Sequence, residues 1–179
     1  GLGWSSPVVA KGQVWMTTAT DDGKSLRVVC LDATSGKPLQ DVEVFQLPAA
    51  GPVHKKNSHA SPTPILEDDR VYVHFGPHGT ACLTSKGAIA WKQQIKYSPV
   101  PGPGGSPALW RDFLLINCDG GDAQFVVALD KKSGQVRWKT PREPNDYGKK
   151  FAFSTPLLID VNGVLQAVSA GASSATAYE

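Results

Sequence analysis

Cysteine is scarce: only Cys30, Cys82 and Cys118 occur in 179 residues, with no CxxC and no adjacent pair. That spacing offers neither a metal knuckle nor a redox dithiol. Charge is sparse too, at 19% of the chain with a net of +2, which excludes the dense basic footprint of a dedicated nucleic-acid binder. No apolar run approaches the roughly 20 residues that span a bilayer. The opening GLGWSSPVVAKG has no basic start, apolar stretch or cleavage site, so it is not expected to be a signal peptide. Helical periodicity is missing beyond a turn or two. Glycine (18) and proline (14), by contrast, are frequent, as a chain with many turns requires. Hydrophobic residues make up 41%, enough for one domain with a real core.

Two markers recur along the chain. Ser/Thr-Pro precedes an apolar run at Pro7, Pro62, Pro107 and Pro156, and a small residue opens CLD, CLT, ALD and AYE at Cys30, Cys82, Ala128 and Ala177. The offsets between them are 23, 20, 21 and 21 residues, too regular for chance. Within each unit, short β-type runs alternate with turns built on Gly, Asp or Asn, the pattern of consecutive hairpins. Four-stranded units repeating at this length predict an all-β fold, a β-propeller of antiparallel blades packed face to face. The blades fall near residues 5–46, 60–96, 105–141 and 153–179. The last stops before an outer strand, so we expect part of a longer propeller of about seven or eight blades, or a ring closed by other copies. Cys30 and Cys82 share the slot of Ala128 and Ala177, and Cys118 aligns with Ala19, Gly76 and Ala170; all three are expected to be small core residues.

The stretch Ala128–Trp138, ALDKKSGQVRW, resembles the tryptophan-docking motif of pyrroloquinoline-quinone-type propeller repeats: Ala, any, Asp, two any, Thr, Gly, three any, Trp. Ala128, Asp130, Gly134 and Trp138 match, and Ser133 replaces the threonine. Physically, Asp130 is expected to accept from turn amides, Gly134 to hold a positive φ, and Trp138 to press on the adjoining blade. The other copies depart from the pattern. Blade 1 keeps Asp32 and Gly36 but has Gln40 for the tryptophan; blade 2 is one residue shorter, has Thr84 for the aspartate, and keeps Gly87 and Trp91.

Candidate binding residues lie on the connectors 46–60, 96–105 and 141–153, which in an up-and-down blade share a face with the loops between second and third strands. They carry Lys55, Lys56, Lys96, Arg142, Lys149 and Lys150 against Glu143 and Asp146, a net of +4. Three residues before each marker proline stand Trp4, His59, Gly104 and Phe153, expected near the mouth of the central channel. Aromatic and imidazole groups inside a basic rim suit an anionic or extended ligand; the plainer reading is that they pack connectors onto blades.

Other motifs carry less. His74 and His78 flank FGP, which forbids the helix that an i, i+4 zinc pair needs. DDG at Asp21 and DGGD at Asp119 fall on hairpin turns that need no cation. GPGG at Gly102 lacks the lysine of a phosphate loop. The recurring Ser-Pro is structural by its repetition, and no catalytic triad spacing is present. No catalytic residue and no metal ligand is therefore assigned. The resemblance implies an exported, non-catalytic scaffold that binds a protein or extended polymer and needs no cofactor. Its alternative is a dehydrogenase with pyrroloquinoline quinone and Ca²⁺ in the channel. Members of that class use an adjacent cysteine pair and Glu, Asn and Asp calcium ligands, none of which maps onto this chain. A sensor or adhesive ectodomain is a third possibility.

Overall fold

The computed structural model describes residues 1–99, 102–143 and 150–179. Four antiparallel sheets follow one another, and in each the strands are hydrogen-bonded in chain order, as successive hairpins dictate. Blade 1 holds β1 (Val8–Ala10), β2 (Gln13–Ala19), β3 (Ser25–Asp32) and β4 (Pro38–Gln46). Blade 2 holds β5 (Ile65–Glu67), β6 (Arg70–His74), β7 (Thr80–Thr84) and β8 (Ile89–Gln93). Blade 3 holds β9 (Ala108–Trp110), β10 (Phe113–Asp119), β11 (Gln124–Asp130) and β12 (Val136–Pro141). Blade 4 has three strands, β13 (Leu157–Val161), β14 (Val164–Ala170) and β15 (Ala175–Tyr178). The propeller expectation holds, with about four blades. No helix among the described residues is long and apolar enough to cross a membrane.

The core lies between the blades. Trp15, Leu26, Val28 and Cys30 of blade 1 pack on Val71, Val73, Phe75, Ala81 and Leu83 of blade 2. Tyr72 and Cys82 of blade 2 face Ile116, Cys118, Phe125 and Val127 of blade 3. Strands β10 and β11 are covered on both faces and read as continuous apolar runs, whereas β2 alternates because one of its faces is less covered. All three cysteines are buried and unpaired, as small core residues should be.

The small-residue slot has a structural cause. Ala128 lies opposite Trp138, Cys82 opposite Trp91 and Cys30 opposite Gln40, so each small side chain leaves room beside the docking residue. A β-bulge follows immediately in each blade, at Ala128/Leu129, Cys82/Leu83 and Cys30/Leu31. Asp130 Oδ1 accepts from the amides of Lys132 (3.0 Å) and Ser133 (2.8 Å), and Asp32 Oδ1 does the same for Thr34 and Ser35. Thr84 replaces this carboxylate with a hydroxyl that accepts from the amides of Lys86 and Ala88.

Docking runs from one blade to the next turn. Gly134 has φ +74°, and a Cβ there would lie 2.5 Å from Cε3 of Trp91, whose Nε1 donates to the Lys131 carbonyl at 3.1 Å. Trp138 stacks on Tyr178 of blade 4 at 5.3 Å. In blade 1 the amide of Gln40 occupies the equivalent place over Gly87. Gln40→Trp, which restores an aromatic ring over that glycine, is expected to raise the urea midpoint by the equivalent of about 1 kcal/mol.

One marker proline shifts. The amide of Ser6 donates to Thr63 Oγ1 (3.1 Å), that of Thr63 to Ser106 Oγ (2.9 Å), and that of Ser106 to Thr155 Oγ1 (3.0 Å). This chain of clasps makes Pro64, not Pro62, the equivalent of Pro7, Pro107 and Pro156; each inner strand starts directly after its proline. The Ser/Thr-Pro repeat is thus a joint between blades. The residue three before the proline in blade 2 is consequently Ser61, and His59 does not belong to that slot.

Candidate functional site

The connectors do share a face with the turns between second and third strands. Leu47 donates its amide to the Lys24 carbonyl (2.8 Å), Gly121 to that of Ser98 (2.9 Å), and the Ser98 amide bonds Asp122 Oδ1 (2.8 Å). On this face Trp4 is 55% exposed, and its amide donates to the Ala60 carbonyl. Phe153 is 46% exposed; its ring lies on Gly104, where a Cβ would come within 2.9 Å, and leans on Phe151 at 5.6 Å. Lys55, Lys56, Lys96 and Lys150 are exposed, as a basic rim requires. Lys149 and Asp146 lie outside the described residues.

Two of the candidates are turned inward. His59 is 7% exposed, and its ring caps Gly23 in the turn after β2 and meets His78 edge-on at 5.2 Å. Its ring pairs with His78 rather than with Trp4 or Phe153. Burial holds both imidazoles below their ordinary range; the Gly51 backbone opposes this in part at His59, and the proximity of His59 adds to the effect on His78. Beside His59 lies a cavity of about 190 Å³, walled by Thr20, Asp22, Gly51 and Ser58.

Arg142 is not part of the basic rim. Its side chain is 4% exposed and forks onto Asp119, which is 0% exposed: Nε to Oδ1 at 2.5 Å and Nη2 to Oδ2 at 2.9 Å. Nη2 also donates to Ser169 Oγ (2.8 Å), Ser169 Oγ to Asn117 Oδ1 (2.6 Å), and Asn117 Nδ2 to the carbonyl and hydroxyl of Ser154. Burial raises the Asp119 carboxyl and the guanidinium opposes that shift. Asp119 is therefore half of an internal ion pair between blades 3 and 4, not a cation loop. Counting connector charges misses this because the partner lies 23 residues away.

Asn57 carries no signal in the sequence. It ties connector to connector through Nδ2 to the Pro103 carbonyl (3.1 Å) while Oδ1 accepts from Ser58 and Ser61. Among the described residues no three His, Cys, Asp or Glu side chains come together. Asp119 is already taken by Arg142 and is not a free ligand for a cation.

Comparison with solved structures places the fold. Quinohemoprotein alcohol dehydrogenase ADHIIG from Pseudomonas putida HK5 superposes with a TM-score of 0.63 at 14% identity, covering 92% of this chain and 28% of that one. BamB from Moraxella catarrhalis gives 0.62 at 20% identity, covering 99% and 48%. The computationally designed Ika4 protein gives 0.55 at 12%, covering 97% and 91%. This chain thus spans about a quarter of the dehydrogenase and about half of BamB. No curated protein matches. The docking motif, the blade order and a match of residues 1–176 to the family model of the outer membrane protein assembly factor BamB agree: the chain belongs to that family of quinone-type propeller repeats.

Proposed function

We propose that this chain is part of a non-catalytic, exported β-propeller scaffold that binds a polypeptide partner on its connector face. The observation that carries the reading is the pair of exposed rings, Trp4 and Phe153, on a face bearing Lys55, Lys56, Lys96 and Lys150. Large aromatic groups give contact area at little entropic cost, and the lysines favour an acidic or extended partner. Scaffolds of this kind need no activated nucleophile, and the titratable groups between blades 3 and 4 serve packing. The exposed apolar side chains of blade 4, Leu157, Val161 and Val164, fit cover by further blades, from a longer chain or other copies.

Site-specific photo-crosslinking in the native host tests the reading. A benzophenone side chain at position 4 or 153 is expected to trap a polypeptide that the same probe at Leu39, on outer strand β4, does not. Lys55→Glu with Lys56→Glu is expected to reduce the adduct at least about tenfold. Equal adducts at all three positions, or none at 4 and 153, overturn it. Saturable heat on titration with pyrroloquinoline quinone and Ca²⁺ would instead support the dehydrogenase alternative.

A further inference from the structure

We propose that His59 and His78 form a pH-sensitive latch that holds the 46–60 connector against blades 1 and 2 and releases it on acidification. The inference is independent of any partner on the connector face. His59 sits where only glycine leaves space: a Cβ on Gly23, which has φ +69°, would be 2.7 Å from Cδ2 of His59 and 2.8 Å from Cβ of Ala50. The His78 ring, in the 3-10 turn Gly76–His78 after β6, closes the other side at 65° to the His59 plane. Nδ1 of His59 is buried and, among the described residues, has no partner in hydrogen-bonding geometry. A neutral imidazole tolerates that environment. A protonated one is only partly compensated by the Gly51 backbone and has a second imidazole 5.2 Å away.

The surrounding charges do not compensate. From the turn after β2 come Asp21, Asp22 and Lys24. Asp22 Oδ1 accepts from Thr20 Oγ1 (2.6 Å) and the Lys24 amide (3.1 Å), and Asp21 is solvent-exposed with the terminal ammonium 3.8 Å away. From the 3-10 turn comes only His78. The connector itself adds His54, Lys55 and Lys56, all exposed, and no carboxylate. Among the described residues no carboxylate is hydrogen-bonded to either ring.

The sign follows from linkage. Both imidazoles are depressed when the latch is closed, so the open connector binds protons more readily. Closure is fully present above the ordinary imidazole value of 6.5 and is lost as pH falls through the lowered values. The movement has consequences, because the connector holds Asn57 on Pro103 and presents the Ala60 carbonyl to the Trp4 amide and Thr17 Oγ1.

Amide hydrogen exchange of the whole chain at pH 7.5 and 5.0, corrected for intrinsic rates, tests the latch. Amides in 46–60 are expected to exchange about tenfold faster at pH 5.0, because the open connector takes up protons that the closed one refuses. Strands β10 and β11 stay protected. His59→Phe is expected to keep the connector protected at both values; His78→Phe, which leaves the Gly23 cap intact, is expected to halve the response on a logarithmic scale. Equal connector protection at the two pH values in the unaltered chain overturns the proposal. So does a loss shared by β10 and β11, or a response unchanged in His78→Phe.

Discussion

Asp119→Ala is expected to lower the unfolding free energy by about 3–5 kcal/mol, the range for breaking one half of a buried ion pair. The reason is what remains. The Arg142 guanidinium would be left without its carboxylate inside an interface where its side chain is 4% exposed. Its Nη2 would retain Ser169 Oγ, but Nε would have no acceptor among the described groups. On one side the arginine packs directly on Gly171, where a Cβ would lie 2.9 Å from its Cδ. The damage should spread to Asn117 and Ser154, since Ser169 is shared by both halves of the network. Urea unfolding followed by far-ultraviolet dichroism measures the loss. Asp119→Leu combined with Arg142→Met should recover most of it, because removing both charges ends the desolvation penalty. A loss under about 1 kcal/mol for Asp119→Ala would mean that the guanidinium reaches water, contrary to its burial here.

The parts legible in sequence are those whose cause is local. Asp130, Ser133 and Gly134 satisfy one another within five residues, so their spacing is enough to read a turn. The same holds for Asp32 and Gly36. Blade 2 shows where locality ends. Its SPTP offers two prolines, and the choice of Pro64 depends on hydrogen bonds to Ser6 and Ser106, at separations of 57 and 43 residues. The two-residue error carries His59 into a slot occupied by Ser61. Arg142 is misplaced for a related reason: a connector full of lysines looks uniformly solvated until a carboxylate from β10 turns out to lie beneath one of its residues. Trp4 and Phe153 keep their slots, because their positions are counted from Pro7 and Pro156, where the marker is unambiguous.

Trp91→Ala should cost about 3 kcal/mol, at the lower end for deleting a large aromatic because Trp91 is only partly buried. Three contacts go at once: the indole face on Gly134, the Nε1 hydrogen bond to Lys131, and the tilted contact with Tyr72 at 6.2 Å. Area alone does not identify the dock, since any half-buried tryptophan would show some loss. A double-mutant cycle with Gly134→Ala does. Alone, Gly134→Ala combines strain at φ +74° with a clash at 2.5 Å against the indole. Once Trp91 is truncated the clash vanishes and only the backbone strain remains, about 1 kcal/mol. The two substitutions should therefore be coupled by at least about 1 kcal/mol, with the double variant more stable than the sum of the singles predicts. Effects that add within about 0.5 kcal/mol would mean that indole and glycine do not meet in solution. Trp138→Ala should cost less, because its ring stacks on Tyr178 beside an exposed β15 and loses fewer neighbours. That order, Trp91 above Trp138, ties stability to whether the docked turn belongs to a blade covered on both faces.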